Sequence, residues 1–103
     1  MPKFILAYHG GKRFETREEG AAHKAKWNAW VESLGDATTD PSMYFGVSKT
    51  VSADGSVDGG GSNPLSGITI LQAETIEAVL EMAEACPHVD IGGTIEVAQV
   101  MQM

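Results

Sequence analysis

Lys3-Phe4-Ile5-Leu6-Ala7-Tyr8-His9-Gly10-Gly11 opens the sequence with a run of five apolar or aromatic residues, closed by a Gly-Gly pair. The run is too short for a helix and ends in turn residues, so it reads as a buried strand. Side chains alternate along a strand. Phe4, Leu6 and Tyr8 therefore face one way, and Ile5, Ala7 and His9 the other. Both sides are largely apolar, so each face of the sheet built on this strand requires cover.

Beyond the glycines, Thr16-Arg17-Glu18-Glu19 matches a capping box, in which the threonine hydroxyl accepts from the amide three residues on and the glutamate reaches back. The spacing predicts a helix from there to about Leu34, with Gly35 as its C-terminal cap. His23, Trp27, Trp30 and Leu34 fall on one narrow helical face. Asp36 to Ser42 reads as a loop, with Asp40-Pro41 as its turn signal. Met43 to Ser52 reads as a second strand. There Met43, Phe45, Val47 and Val51 alternate with Tyr44, Ser48, Thr50 and Ser52, and Lys49 marks an edge or an outward bend. Ala53 to Pro64 holds Asp54-Gly55 and Gly59-Gly60-Gly61 and reads as a long, mobile hairpin loop. Glycine-rich loops cradle phosphates where a helix N-terminus follows directly. Here Pro64 and a strand follow, which argues against that use.

Ser66 to Gln72 is the third strand. Thr75 caps a second helix with Ile76, Val79, Leu80, Ala83 and Cys86 on its apolar face, and Pro87 closes it. Gly92-Gly93 turns the chain into a last strand, Thr94 to Met101. The order β-α-β-β-α-β, with right-handed crossovers, folds as a ferredoxin-like α+β domain: a four-stranded antiparallel sheet with both helices on one face. Ile5 against Leu6, Ile70 against Leu71 and Val97 against Ala98 leave an apolar second face, which soluble monomers rarely tolerate. A second copy, sheet to sheet, is the simplest cover, so a homodimer is expected.

The 103 residues suit a single domain, 1–103. Seven Lys and Arg against fourteen Asp and Glu give a net charge of −7. That sign argues against nucleic acid as a partner, which demands clustered cations. Six of the seven bases lie within residues 1–26, so a small anionic ligand near Arg13 and Lys24 stays open beside the plainer reading of a solvated surface. Apolar stretches fall short of the ~18–20 residues of a membrane span. The first one is also too short for a secretory core, and no small-residue cleavage site follows it. Cys86 is the only cysteine. A cytoplasmic protein with no intrachain disulfide is expected.

At this point the chain resembles the YCII-related family, and within it the DGPF-type relatives, over essentially its whole length. The resemblance rests on Lys3 to Gly10, Trp27-Asn28-Ala29-Trp30, Ser48-Lys49-Thr50-Val51, the segment Gly59 to Gly67, and Cys86-Pro87-His88 followed by Gly92 to Val97. It implies a dimeric α+β barrel. Its relatives range from small proteins of unknown function to ring-opening or dehalogenating enzymes of aromatic catabolism and regulatory proteins. In the YCII branch, a histidine on the first helix and an aspartate before a proline after the second helix are paired as acid and base. His23 matches the histidine, whereas Cys86 occupies the aspartate position.

The polar candidates each have two readings. His23 is either a hydrogen-bonded core residue or a general base at a cleft mouth, where an imidazole titrates in the useful range. Tyr8 and His9 end the first strand and either rim a cleft or simply close the sheet. Cys86 and His88 flank Pro87, as a thiol–imidazole pair or as inert core. Trp27 is core or a stacking wall for a ligand. Neither metal nor cofactor is expected, since no histidine or cysteine pair has ligand spacing. The expected function is a small-molecule cleft for an aromatic or anionic ligand. It serves either a weak lyase or isomerase using His23, with Tyr8, His9, Trp27, Cys86 and His88 as binding residues, or a non-catalytic binding or regulatory module. An enzyme needs an acid/base partner within reach of His23, drawn from Tyr8, His9 or Asp36.

Overall fold

The computed structural model describes residues 1–39, 42–59, 61 and 63–101. Strand β1, Lys3–His9, is followed by helix α1, Arg17–Leu34. Thr16 caps the helix as the sequence predicts: its Oγ1 accepts from the Glu19 amide at 3.1 Å. Glu19 reaches one residue further back than a capping box requires, accepting from the Glu15 amide at 3.1 Å. Gly35 ends the helix at φ 53°, in the left-handed region that suits glycine. Strand β5, Leu65–Gln72, helix α2, Ile76–Glu84, and strand β6, Thr94–Gln99, form the second half.

The main sheet is four-stranded and antiparallel, in the order β2-β5-β1-β6, where β2 is Met43–Tyr44. This is the interleaved ferredoxin-like order, with both halves contributing a central strand. In the register, Leu6 lies between Thr69 and Val97. Phe4, Leu6, Tyr8 and Leu71 join Trp27, Trp30, Val79 and Ala83 in one core. The Trp30 indole donates to the Met82 carbonyl at 2.8 Å, tying α1 to α2. Among the described residues, no helix is long and apolar enough to cross a membrane.

Four sequence expectations are corrected. Met43 to Ser52 is not one strand. After β2 the chain makes one further hydrogen bond to β5, from the Phe45 amide to the Ser66 carbonyl at 3.0 Å, and then leaves the sheet. Ala53 to Pro64 is not a single loop either. Gly55–Asp58 forms strand β4, paired with β3, Lys49–Ser52, across a tight turn at Ala53 and Asp54. Thr50 and Val51 on one side and Ser56 and Val57 on the other alternate as a hairpin should, while the glycines on either side mask that pattern. Finally, α2 stops at Glu84, before Cys86. Cys86 instead caps a 3₁₀ turn, Pro87–Ile91, with Pro87 at its first position. Leu80, expected on the buried face of α2, is 43% exposed. The turn signal Asp40-Pro41 lies outside the described residues.

Candidate functional site

A cavity of about 220 Å³ opens where β1 ends, between α1 and the 3₁₀ turn. Its floor is Tyr8 with Gly10 and Gly11, and one wall is Trp27 and His23 from α1. Phe14, just ahead of the α1 cap, and Tyr44 of β2 form the other aromatic sides. His88 and Ile91 of the 3₁₀ turn complete it, and Lys12 stands at the rim.

Packing, more than hydrogen bonding, holds the aromatic side chains. Trp27 meets Tyr8 edge to face, with ring centroids 5.2 Å apart, and lies 5.7 Å from Tyr44. His23 sits 4.9 Å from Phe14 and 5.9 Å from Trp27. Among the described residues it has no hydrogen-bond partner, so Tyr8, His9 and Asp36 are not in reach as its acid/base partner. Burial lowers the His23 pKa, and the neighbouring His88 and Lys26 lower it further against a small opposing pull from Asp90. Its imidazole is therefore neutral at pH 7 and free to accept a proton.

Tyr8 is committed elsewhere. Its hydroxyl shares a 2.7 Å hydrogen bond with Thr69 Oγ1, which in turn shares one of 2.6 Å with Ser42 Oγ. Burial pushes its pKa well above the ordinary tyrosine value. The phenol contributes a ring surface to the cavity and no mobile proton.

His88 is almost wholly buried, at 6% exposure. Its Nε2–H donates to the His9 carbonyl at 2.9 Å. Two glycines clasp the ring. A Cβ on Gly93 would fall inside it, and a Cβ on Gly11 would press on its Cε1 at 3.1 Å, at a residue that already has φ 101°. Glycine at both positions is what lets an imidazole sit edge-on beneath the first strand.

Tyr8, His23, Trp27 and His88 thus meet in one cavity, whereas His9 and Cys86 do not. The His9 side chain points to the opposite sheet face, as alternation from Tyr8 demands. There its Nδ1–H donates to the Asn63 carbonyl at 3.1 Å and its Nε2 lies 3.2 Å from Glu96 Oε1. Cys86 is fully buried in the core, and burial pushes its thiol up to about 11. A thiol so placed is protonated at neutral pH and is no nucleophile. Sequence reasoning passed over Phe14 and Tyr44. Phe14 had a signal: a lone aromatic two residues before a helix cap packs back on the first turn, here toward Gly20. Tyr44 had only its place opposite Met43 in the alternation.

The cations also converge here. Lys12 and Lys26 border an adjoining cleft with Glu19 and Asp90, and Lys24 lies beside another formed by Phe14, His23, Trp27 and Tyr44.

No protein-family model matches the chain, and no curated protein is similar to it at a significant level. Among solved structures, the fold is similar to that of 5-chloro-2-hydroxyhydroquinone dehydrochlorinase from Burkholderia phenoliruptrix AC1100, in complex with 2,5-dihydroxybenzoquinone. The TM-score is 0.57 and the identity 15%, over 96% of this chain and 95% of that one. At this identity the likeness shows a shared ferredoxin-like α+β fold.

Proposed function

We propose that the cavity binds a single planar, hydroxylated ring and that His23 serves as the base acting on it. The observation that carries this reading is the cavity itself: four aromatic rings, Tyr8, Phe14, Trp27 and Tyr44, surround it together with two imidazoles. At about 220 Å³ it falls below the ~300–1,000 Å³ of drug-sized pockets, which favours one ring over two. Apolar walls supply stacking area, and Lys12 at the rim favours a ligand that carries or develops negative charge. The solved structure of similar fold, a dehydrochlorinase holding a dihydroxybenzoquinone, supports the same class of ligand. Eliminating hydrogen chloride from a chlorinated ring of this class requires a base that takes the proton as chloride leaves, and a neutral imidazole meets that need.

The same reading places the chain among YCII-related proteins of the DGPF type, acting as a homodimer in the cytoplasm. The apolar outer face of the sheet supports the dimer, and the single buried thiol fits a reducing compartment. A second reading, a binding module without catalysis, draws on the absence of a hydrogen-bonded acid/base partner for His23 among the described residues.

Tryptophan fluorescence during titration with 2,5-dihydroxybenzoquinone tests the binding. Saturable quenching at one ligand per chain is expected, weakened in Tyr44→Ala, which removes one wall from an exposed position. Non-saturable quenching would end the proposal. Chloride release from 5-chloro-2-hydroxyhydroquinone then separates the readings. Release that His23→Gln abolishes marks an enzyme, and binding without release marks the module.

A further inference from the structure

We infer that His88 is the residue that recognises the ligand's hydroxyl, its Nδ1 accepting the hydrogen bond through which a bound ring is oriented beneath His23. The inference rests on the proposed ring-binding reading of the cavity and names the acceptor within it.

Three observations converge. For the neutral ring the tautomer is set by geometry: Nε2 lies 2.9 Å from a backbone carbonyl, which only accepts, so Nε2 carries the proton and Nδ1 the lone pair. The ring packs directly against Gly11 and Gly93, where a Cβ at either position would press on or overlap it. Nδ1 has no hydrogen-bond partner among the described residues, although the side chain is more than nine-tenths buried and lines the cavity. Nδ1 is not closed off among the buried atoms, so this acceptor is open to the cavity and available to a bound donor. The Tyr8 hydroxyl, on a ring that meets His88 edge to face, is already engaged by Thr69. The complementary group is an O–H donor on a small planar molecule, as a neutral phenol or hydroquinone presents. The corresponding ring ether lacks that proton.

Hydroquinone and 1,4-dimethoxybenzene, titrated separately by calorimetry at pH 7, provide the comparison. The wild-type protein is expected to prefer hydroquinone about threefold to tenfold, the scale of one net hydrogen bond. His88→Leu is expected to abolish that preference while still binding 1,4-dimethoxybenzene. His88→Gln, whose amide can donate to the His9 carbonyl and accept from the ligand, is expected to restore part of it. A merely structural histidine would weaken both ligands alike. A preference that survives His88→Leu, or none in the wild type, overturns the inference while leaving the ring-binding reading intact. If neither ring binds, the cavity reading itself fails and the inference with it. Nitrogen-15 NMR of the wild-type imidazole gives a check that needs no variant. It should show the neutral ring as the Nε2–H tautomer, with the Nδ1 resonance moving on addition of hydroquinone. A protonated Nδ1 in the free protein refutes the assignment.

Discussion

At the scale of single residues, the two imidazoles of the cavity differ in what governs them. His23 is half-buried among rings and hydrogen-bonds to nothing described, so desolvation governs it. Its pKa is lowered, which means the unfolded chain binds the proton more readily than the folded one. Stability is then undiminished above the ordinary value of about 6.5 and falls as pH drops through it. NMR titration of the His23 ring should give a midpoint below about 6.5, and His23→Leu should remove part of the stability loss seen between neutral pH and pH 5. A midpoint at the ordinary value would contradict the placement. His88, by contrast, is governed by shape. Gly93→Ala should cost on the order of 1–3 kcal/mol, as overpacked sites do, because the new methyl overlaps the His88 ring. Thermal unfolding measures the loss, and an unchanged melting temperature would mean the ring is free to move.

Among elements, the contrast lies between the helical layer and the hairpin. Helix α1 is pinned to α2 by the bond from the Trp30 indole to the Met82 carbonyl. Trp30→Phe keeps most of the ring but removes the indole bond and leaves that carbonyl only the Ala85 amide at 3.3 Å, a loss of about 0.5–1.5 kcal/mol, read as a lowered denaturant midpoint with unchanged slope. The β3–β4 hairpin has no such anchor. Both strands are exposed along their whole length, and Val51 and Val57 are 79% and 64% exposed. Its ion pair, Lys49 to Asp58 at 3.4 Å, is solvent-exposed and contributes little. Isolated two-stranded hairpins are marginal in water. Amide exchange at residues 49–58 should therefore be fast in dilute protein and should slow as concentration rises, if a second copy lends the valines cover. Rates that ignore concentration would remove the hairpin from any interface.

Across the whole molecule, both helices lie on one face of the sheet, and the other face carries Ile5, Ala7, Ile68, Ile70 and Ala98 in adjacent register positions. The molecule measures 44 × 42 × 19 Å, thin along one axis, as a two-layer body with an extended hairpin must be. Covering the bare face with its counterpart in a second copy should bury on the order of 1,600 Å², the size of a stable specific interface. Light scattering at micromolar concentration should report about twice 10.9 kDa, and Ile70→Asp should halve that mass. A wild-type monomer would leave the apolar face unexplained and end the dimer proposal.

Periodicity and capping residues by themselves determined the order of the two helices and the main-sheet strands, both helix N-caps and the identity of the core strands, but not the β3–β4 hairpin. These depend on contacts within a few residues: a threonine hydroxyl with an amide three positions on, or alternation over five residues. Four of the six named site residues, Tyr8, His23, Trp27 and His88, were also legible, because an aromatic or imidazole among apolar neighbours stands out in one dimension. Tertiary structure alone decided the rest. It placed Tyr44 against Trp27 from a distant segment and Phe14 against His23, and it turned His9 to the far face through strand alternation. It also enclosed His88 between Gly11 and Gly93, so that which of its nitrogens holds the proton depends on a carbonyl 79 positions away in sequence. Cys86 passed from a helix face to the centre of the core for the same reason. The chain records which side chains are apolar and when they recur, but burial, tautomer and shared cavities arise only when separate segments meet.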